Sequence, residues 1–240
     1  MPSLDEKMIR DGHLGGYIPG GDPGTWCPAL WTWAMETFKI QSMLDMGCGE
    51  GHSARFFHER GCEVQGVEGC EEALRNSAIP GRVVWHDYTA GPYRPAKRYD
   101  LVWSCEFLEH VEARYLDNIK ATLAEADKAI LITHGLPHQT RGHHHVNLQP
   151  NSYWISHIES LGFRCDVSLT LAARRATLAD YPSINHFARS GLVFVRSEAQ
   201  DVRPLIPISA QLKEWLIASR FRLSKDYLSK KLTRRLKRAG

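Results

Sequence analysis

Between residues 43 and 133 the chain alternates short, largely apolar runs with amphipathic patterns, and few folds accept that alternation. Met43–Met46, Glu63–Glu68, Arg82–His86, Asp100–Ser104 and Lys128–Thr133 have strand length, whereas His52–Arg60, Cys70–Ser77 and Glu112–Ala124 space their apolar residues as helices do. Strands that lack a polar face are buried on both sides, so the pattern predicts a doubly wound α/β sheet with helices on each face. A helix over 29–40 precedes the first strand. After the fifth strand come a helix over Ser152–Leu161, stopped at Gly162, and two further strands, Phe163–Thr170 and Gly191–Val195. The count is then seven strands, with no long helix between the last two.

A chain of 240 residues accommodates one such domain plus additions. The expected division is an N-terminal arm and helix (1–40), an α/β core (41–197) and a basic helical extension (198–240). A hydrophobic share of 43% and a charged share of 24% are ordinary for a globular chain. The longest apolar runs, such as Ala129–Ile132, are far shorter than a membrane span. The N-terminus has no apolar signal core, and the six cysteines contain no C-x-x-C pair, which fits reduced thiols and a cytoplasmic location. The net charge of +3 hides a strongly basic end: Lys213 to Arg238 holds ten Lys or Arg against Glu214 and Asp226. Leu212, Trp215, Leu216, Leu228, Leu232 and Leu236 recur there at helical spacing, so an amphipathic basic helix is expected. Such a helix suits a solvated face, or an anionic partner or the inner membrane surface. Nucleic acid is a weaker match, because only Phe221 and Tyr227 interleave the basic residues.

The turn after the first strand reads Leu44-Asp45-Met46-Gly47-Cys48-Gly49-Glu50-Gly51. In an open α/β sheet, ligands bind beyond the carboxyl ends of the strands, where this turn lies. A dinucleotide pyrophosphate needs G-x-G-x-x-G and is repelled by acids, whereas this turn is flanked by Asp45 and Glu50. A cationic ligand suits that charge. Glu68 closes the second strand, where an acid can accept both ribose hydroxyls, and Asp87 follows the third, where it can meet an adenine amino group.

Leu44–Gly51, Val67-Glu68, His86-Asp87 and Tyr99–Ser104, in that order, resemble the four leading motifs of class I S-adenosylmethionine-dependent methyltransferases. The resemblance covers roughly residues 40–196. It implies S-adenosylmethionine as cofactor and a Rossmann-like seven-stranded sheet whose last strand is antiparallel, ending in a hairpin. The candidate cofactor residues are Asp45, Gly47, Cys48, Gly49, Glu68, Gly69, Asp87, Tyr88 and Cys105. Leu14–Asp22, ahead of the core, is expected to fold over the cofactor as a lid.

After the fourth strand, Glu106, Glu109 and His110 stand at i, i+3 and i+4, which share one face of a helical turn. The loop Arg141–Asn147 beyond the fifth strand adds His143, His144 and His145 at the same end of the sheet. Mixed oxygen and nitrogen donors suit a divalent metal. This E-x-x-E-H…H arrangement resembles metal-assisted O-methyltransferases, those of ubiquinone synthesis and those of small-RNA terminal riboses. That resemblance implies Glu106, Glu109, His110 and His145 as ligands for Mg, Mn, Fe or Zn. The residues after His145, Val146-Asn147-Leu148-Gln149-Pro150, depart from the RNA enzymes. The catalytic candidates are His110, His144 and His145, with His144 or His134 to take a proton from the acceptor. A metal-free histidine base and a purely structural loop remain alternatives. His13, His52, His58, His157 and His186 are expected to be ordinary solvent-facing or hydrogen-bonding residues.

The expected activity is methylation of a hydroxyl on a sugar, glycan or small polyol. Its rivals are methylation of an RNA ribose or of a natural product, and a catalytically silent S-adenosylmethionine-binding subunit.

Overall fold

The computed structural model describes residues 12–14, 16–139, 142–180 and 185–197, together with 209, 213–214 and 216–218 of the C-terminal part. Seven strands form one sheet in the order β3-β2-β1-β4-β5-β7-β6. They are β1 (Ser42–Met46), β2 (Glu63–Glu68), β3 (Val83–Trp85), β4 (Tyr99–Ser104), β5 (Ala126–Ile132), β6 (Phe163–Cys165) and β7 (Leu192–Arg196). β1 to β5 are mutually parallel, and β7 runs antiparallel to both β5 and β6. This is the expected doubly wound sheet with its antiparallel last strand.

The helices are α1 (Pro28–Phe38), α2 (His52–His58), α3 (Glu71–Arg75), α4 (Leu116–Leu123), α5 (Asn151–Glu159), α6 (Val167–Ala176) and α7 (His186–Ser190). Successive strand residues enter opposite cores, as the pleat requires. Leu44, Val102, Ile130 and Ile132 join Ile119 and Leu123 of α4 and Trp154 and Ile158 of α5 on one face. Met43, Leu101, Trp103 and Leu131 meet Leu30 and Trp31 of α1, Phe56 and Phe57 of α2 and Phe187 of α7 on the other. With both faces closed, polar chemistry is confined to the carboxyl ends of the strands. After β3 the chain crosses to β4 on the far side of β1, and the cleft opens at this reversal.

Two expectations about the end of the core change. The strand predicted over Phe163–Thr170 stops at Cys165, because the Asp166 side chain accepts Leu169 N–H at 2.9 Å and caps α6. Val167 and Leu169 mimic strand alternation over too short a window to reveal the helical period. With α6 and α7 between β6 and β7, the last two strands are not joined as a hairpin. Of the C-terminal extension, only a helical fragment falls among the described residues. Lys213 pairs with Glu159, Glu214 accepts Ser152 N–H at 3.2 Å, and Ile217 is buried in the α4–α5 core. The rest of the predicted basic helix, with Leu228, Leu232 and Leu236, lies outside the described residues, as do residues 1–11. All six cysteines are free. Among the described residues, no helix is long and apolar enough to cross a membrane.

Trp31 joins the arm to the core, meeting Trp26 edge-on at 5.1 Å and Trp103 at 6.1 Å. Replacing this buried ring by alanine should destabilise the fold by about 3–5 kcal/mol, measured by urea unfolding.

Candidate active site

The cofactor turn is held from beneath. Gly47 and Cys48 donate their N–H groups to Val67 O of β2 at 2.9 and 3.1 Å. Gly47 has φ +71°, and a Cβ there would lie 2.4 Å from the Phe107 ring, so only glycine lets the turn pass under that side chain. Asp45, 1% exposed, accepts the Ser53 hydroxyl and so ties β1 to the start of α2. Burial pushes its carboxyl up to about 7, a shift that a neighbouring cation would reverse. Glu68 accepts Gly49 N–H at 2.7 Å and Cys70 N–H at 2.8 Å, which fixes the carboxylate at the end of β2. Asp87 accepts Thr89 N–H at 2.8 Å. Burial opposes its charge, but the bonds from His13 and Thr89 prevail and hold its carboxyl below the ordinary range.

All nine residues singled out for the cofactor except Asp87 and Tyr88, which follow β3, belong to β1, β2, β4 or the segments just beyond them, and all nine line one cleft of about 1180 Å³. Tyr88 contributes a buried ring packed on Phe107 at 5.4 Å, with its hydroxyl 3.1 Å from Thr122.

Glu50, the second acid of the turn, lines the same cleft but is bonded to the arm. Its carboxylate accepts the Tyr17 hydroxyl, Gly20 N–H at 3.1 Å and His52 Nε2 at 2.8 Å, and the Tyr17 bond leads in holding it ionised. The arm is therefore fastened to the cofactor turn. Farther along it, Asp22 meets His186 Nε2 at 2.9 Å, and His186 Nδ1 lies 3.0 Å from Glu106 Oε2. That second contact is an ion pair without good hydrogen-bond alignment, since Nδ1 has no aligned partner. Burial disfavours the imidazolium, but the two carboxylates outweigh it and raise the pKa of His186.

This corrects the predicted ligand set. Glu106 is not on a helical face with Glu109 and His110; it sits at φ +51° ahead of the short 3-10 turn Leu108–His110. Its carboxylate turns to His186 and to the Thr133 hydroxyl at 2.8 Å, and His186 in particular holds it ionised against burial. Glu109, His110 and His145 do come together, with one ligand atom of each within 4.8 Å of the others. The His110 and His145 rings meet at 5.1 Å, and His145 Nδ1 is 3.1 Å from Gln139 O. Gly142 permits this fold of the loop, since a Cβ there would fall 2.2 Å from the His145 ring.

The other histidines redistribute. His134 is 0% exposed, with Nε2 2.9 Å from Asn151 Oδ1, and burial lowers it to about 4, so it is no base for the acceptor. His144 stays off the cleft lining, 6.5 Å ring to ring from His13, whereas His143 lines the cleft and bonds Gly12 O at 2.8 Å. His13, His52 and His186, expected to be ordinary solvent-facing or hydrogen-bonding residues, each pair with a carboxylate at the cleft. No local pattern announces these three, because each partner lies on a different element or, for His52, looks like an ordinary helix start.

A family model described as a methyltransferase domain matches residues 20–181, which include Asp45, Glu68, Asp87, Glu109, His110 and His145. The (S)-coclaurine N-methyltransferase of Papaver somniferum is 25% identical over 198 residues, 75% of this chain and 54% of that protein. The chain thus spans about half the length of the curated relative it matches. Among solved structures, magnesium protoporphyrin IX methyltransferase from Synechocystis PCC 6803, with bound S-adenosylmethionine, is similar at a TM-score of 0.50. It is 15% identical, with 82% of this chain and 86% of that one covered. The plantazolicin methyltransferase in complex with S-adenosylhomocysteine is similar at 0.52 and 14% identity, over 82% and 91% of the two chains. A sugar N-methyltransferase from a Streptoalloteichus species reaches 0.53 at 13% identity, over 82% and 94%. These structures share the fold of the class I methyltransferases, and by the match over residues 20–181 this chain belongs to the methyltransferase-domain family.

Proposed function

We propose that the protein transfers the methyl group of S-adenosylmethionine to a hydroxyl of a small molecule, a sugar, glycan or other polyol, with a divalent cation held by Glu109, His110 and His145. One observation carries the cation. Glu109 is 0% exposed, yet among the described residues neither carboxylate oxygen has a well-aligned hydrogen-bond partner, and Nδ1 of the adjacent His110 is equally orphaned. Buried polar atoms are rarely left so, because each unmet group costs about 1–3 kcal/mol. One carboxylate and two imidazoles form a donor set that fits Zn, Fe or Mn better than Mg, which prefers oxygen. When bound, such a cation lowers the pKa of an acceptor hydroxyl and orients its oxygen.

The chain's own residues supply the rest. Asp45 and Glu68 hold the cofactor's cationic and ribose parts at the end of β1 and β2. The arm, fastened through Glu50 and His186, covers the cleft and keeps water out. The acceptor oxygen takes the methyl carbon in line with the breaking S–C bond, and its proton leaves to a base. We assign that role to His143, which lines the cleft and whose Nε2–H, donating to Gly12 O, leaves Nδ1 as the accepting nitrogen of the ring. A second reading, methylation of a natural-product amine without a cation, draws on the relatives named as N-methyltransferases.

Methyl transfer from labelled S-adenosylmethionine to a panel of sugars, polyols and alkaloids, resolved by mass spectrometry, tests the two. O-methylated product should fall at least ~10²-fold with chelator or with Glu109→Ala or His145→Ala. Unchanged O-methylation under all three sinks the cation. His143→Ala should lower kcat about 10²-fold with little change in KM.

Burial, with the nearby Glu106 charge adding to it, pushes the Glu109 carboxyl up to about 8, above its value in the unfolded chain. Without a cation its contribution to stability is therefore present below the unfolded pKa and lost as pH rises through about 8. In chelator, Glu109→Gln should gain stability relative to wild type as pH rises from about 5 to about 8, with no gain below about pH 5, in thermal unfolding.

A further inference from the structure

We propose that Leu14 and His13, in the short turn Gly12–Leu14 of the arm, are part of the cofactor site and complete its adenine half. The inference rests on the S-adenosylmethionine reading above. Beside Glu68, the candidate ribose acid, stands Gly69, which has no side chain to offer an adenine face. A Cβ built on Gly69 would lie 2.5 Å from Leu14 Cδ2 and 3.1 Å from His86 O. Leu14 thus fills the volume that a side chain at position 69 would occupy. A stacked base would keep about 3.5–4 Å from such a side chain. The Leu14 methyl at 2.5 Å is therefore in the wall and not in the ligand's place.

His13 acts on the other edge. Its Nε2 lies 3.1 Å from Asp87 Oδ2 and 3.4 Å from Thr89 Oγ1, while Thr89 N–H and Oγ1 hold the same carboxylate at 2.8 and 3.0 Å. A carboxylate pinned by three donors keeps one orientation and retains lone pairs for an exocyclic amine. The turn is anchored independently, since Gly12 O accepts His143 Nε2 at 2.8 Å. His13, Leu14, Gly69, Asp87 and Tyr88 all line the same cleft. The arm does more than cover the cofactor: it supplies the apolar surface that Gly69 leaves out.

Calorimetric titration of the full chain with S-adenosylhomocysteine, and with adenosine alone, tests this without acceptor or metal. Leu14→Ala should raise Kd for both ligands about 10-fold, with an unchanged thermal midpoint. Gly69→Ala should also weaken binding, because its Cβ displaces Leu14. The double variant, in which the new Cβ takes the vacated space, should bind more tightly than either single one, a reversal that a merely structural role for the arm would not produce. His13→Ala should weaken adenosine and S-adenosylhomocysteine by the same factor. Wild-type affinity in Leu14→Ala would overturn the proposal. So would tighter binding, which would mean that Leu14 occupies the place of the base. Failure of the wild-type chain to bind S-adenosylhomocysteine would instead sink the methyltransferase reading, and this inference with it.

Discussion

Both faces of the sheet are closed by apolar packing, and most of what this protein can do follows from that. Met43 and Leu44 enter opposite cores, as do Leu101 and Val102, so the central strands β1 and β4 have no solvent face on which to carry polar groups. Charged side chains are expensive inside such a layer unless hydrogen-bonded, and they gather where the strands end. Asp45, Glu68, Asp87, Glu106 and Glu109 all sit at or just past a strand terminus. The reversal of chain order between β1 and β4 parts the loops there and leaves room for a ligand.

The arm is the second organising element, and besides the Trp26–Trp31 contact it is held by a set of hydrogen bonds and ion pairs. Glu50, Asp87 and the Asp22–His186–Glu106 series each link it to a different loop of the core, and Gly12 links it to the histidine loop. Carboxylates that would otherwise repel one another at the mouth of the cleft are thereby distributed among separate partners. Glu50 and Glu106 end up ionised against the arm and against α7. Glu109 is left, among the described residues, without a well-aligned hydrogen-bond partner for its carboxylate, beside His110 and His145.

Much of this arrangement was legible before any coordinates. Strand and helix alternation located β1 to β5 within a few residues, because an apolar run buried on both faces cannot be confused with an amphipathic surface helix. The acids at 45, 68 and 87 were legible for a similar reason: each follows its strand directly, so position along the chain reports position at the sheet's edge. Legibility failed where contacts are made across the sequence. Val167 and Leu169 alternate like a strand, yet a single side-chain cap from Asp166 commits them to a helix. Glu106 was grouped with Glu109 and His110 on the assumption of a regular helical turn, but the backbone bends at Glu106 before that turn begins. His134 and His144 looked equivalent to their neighbours, but His134 is buried and His144, half-buried like His143 and His145, stays off the cleft lining.

The amino-acid sequence by itself determined the fold class and the end of the sheet at which a ligand binds, since periodicity and glycine spacing are local properties of the chain. It also pointed to Glu109, His110 and His145, whose ligand atoms the fold gathers within 4.8 Å of one another, though not to the exclusion of Glu106. Only the tertiary structure decided which carboxylate finds which partner. Leu14 meets Gly69 across 55 positions and His186 meets Asp22 across 164. Contacts at such separations are selected by how the elements pack, which no short window of sequence encodes.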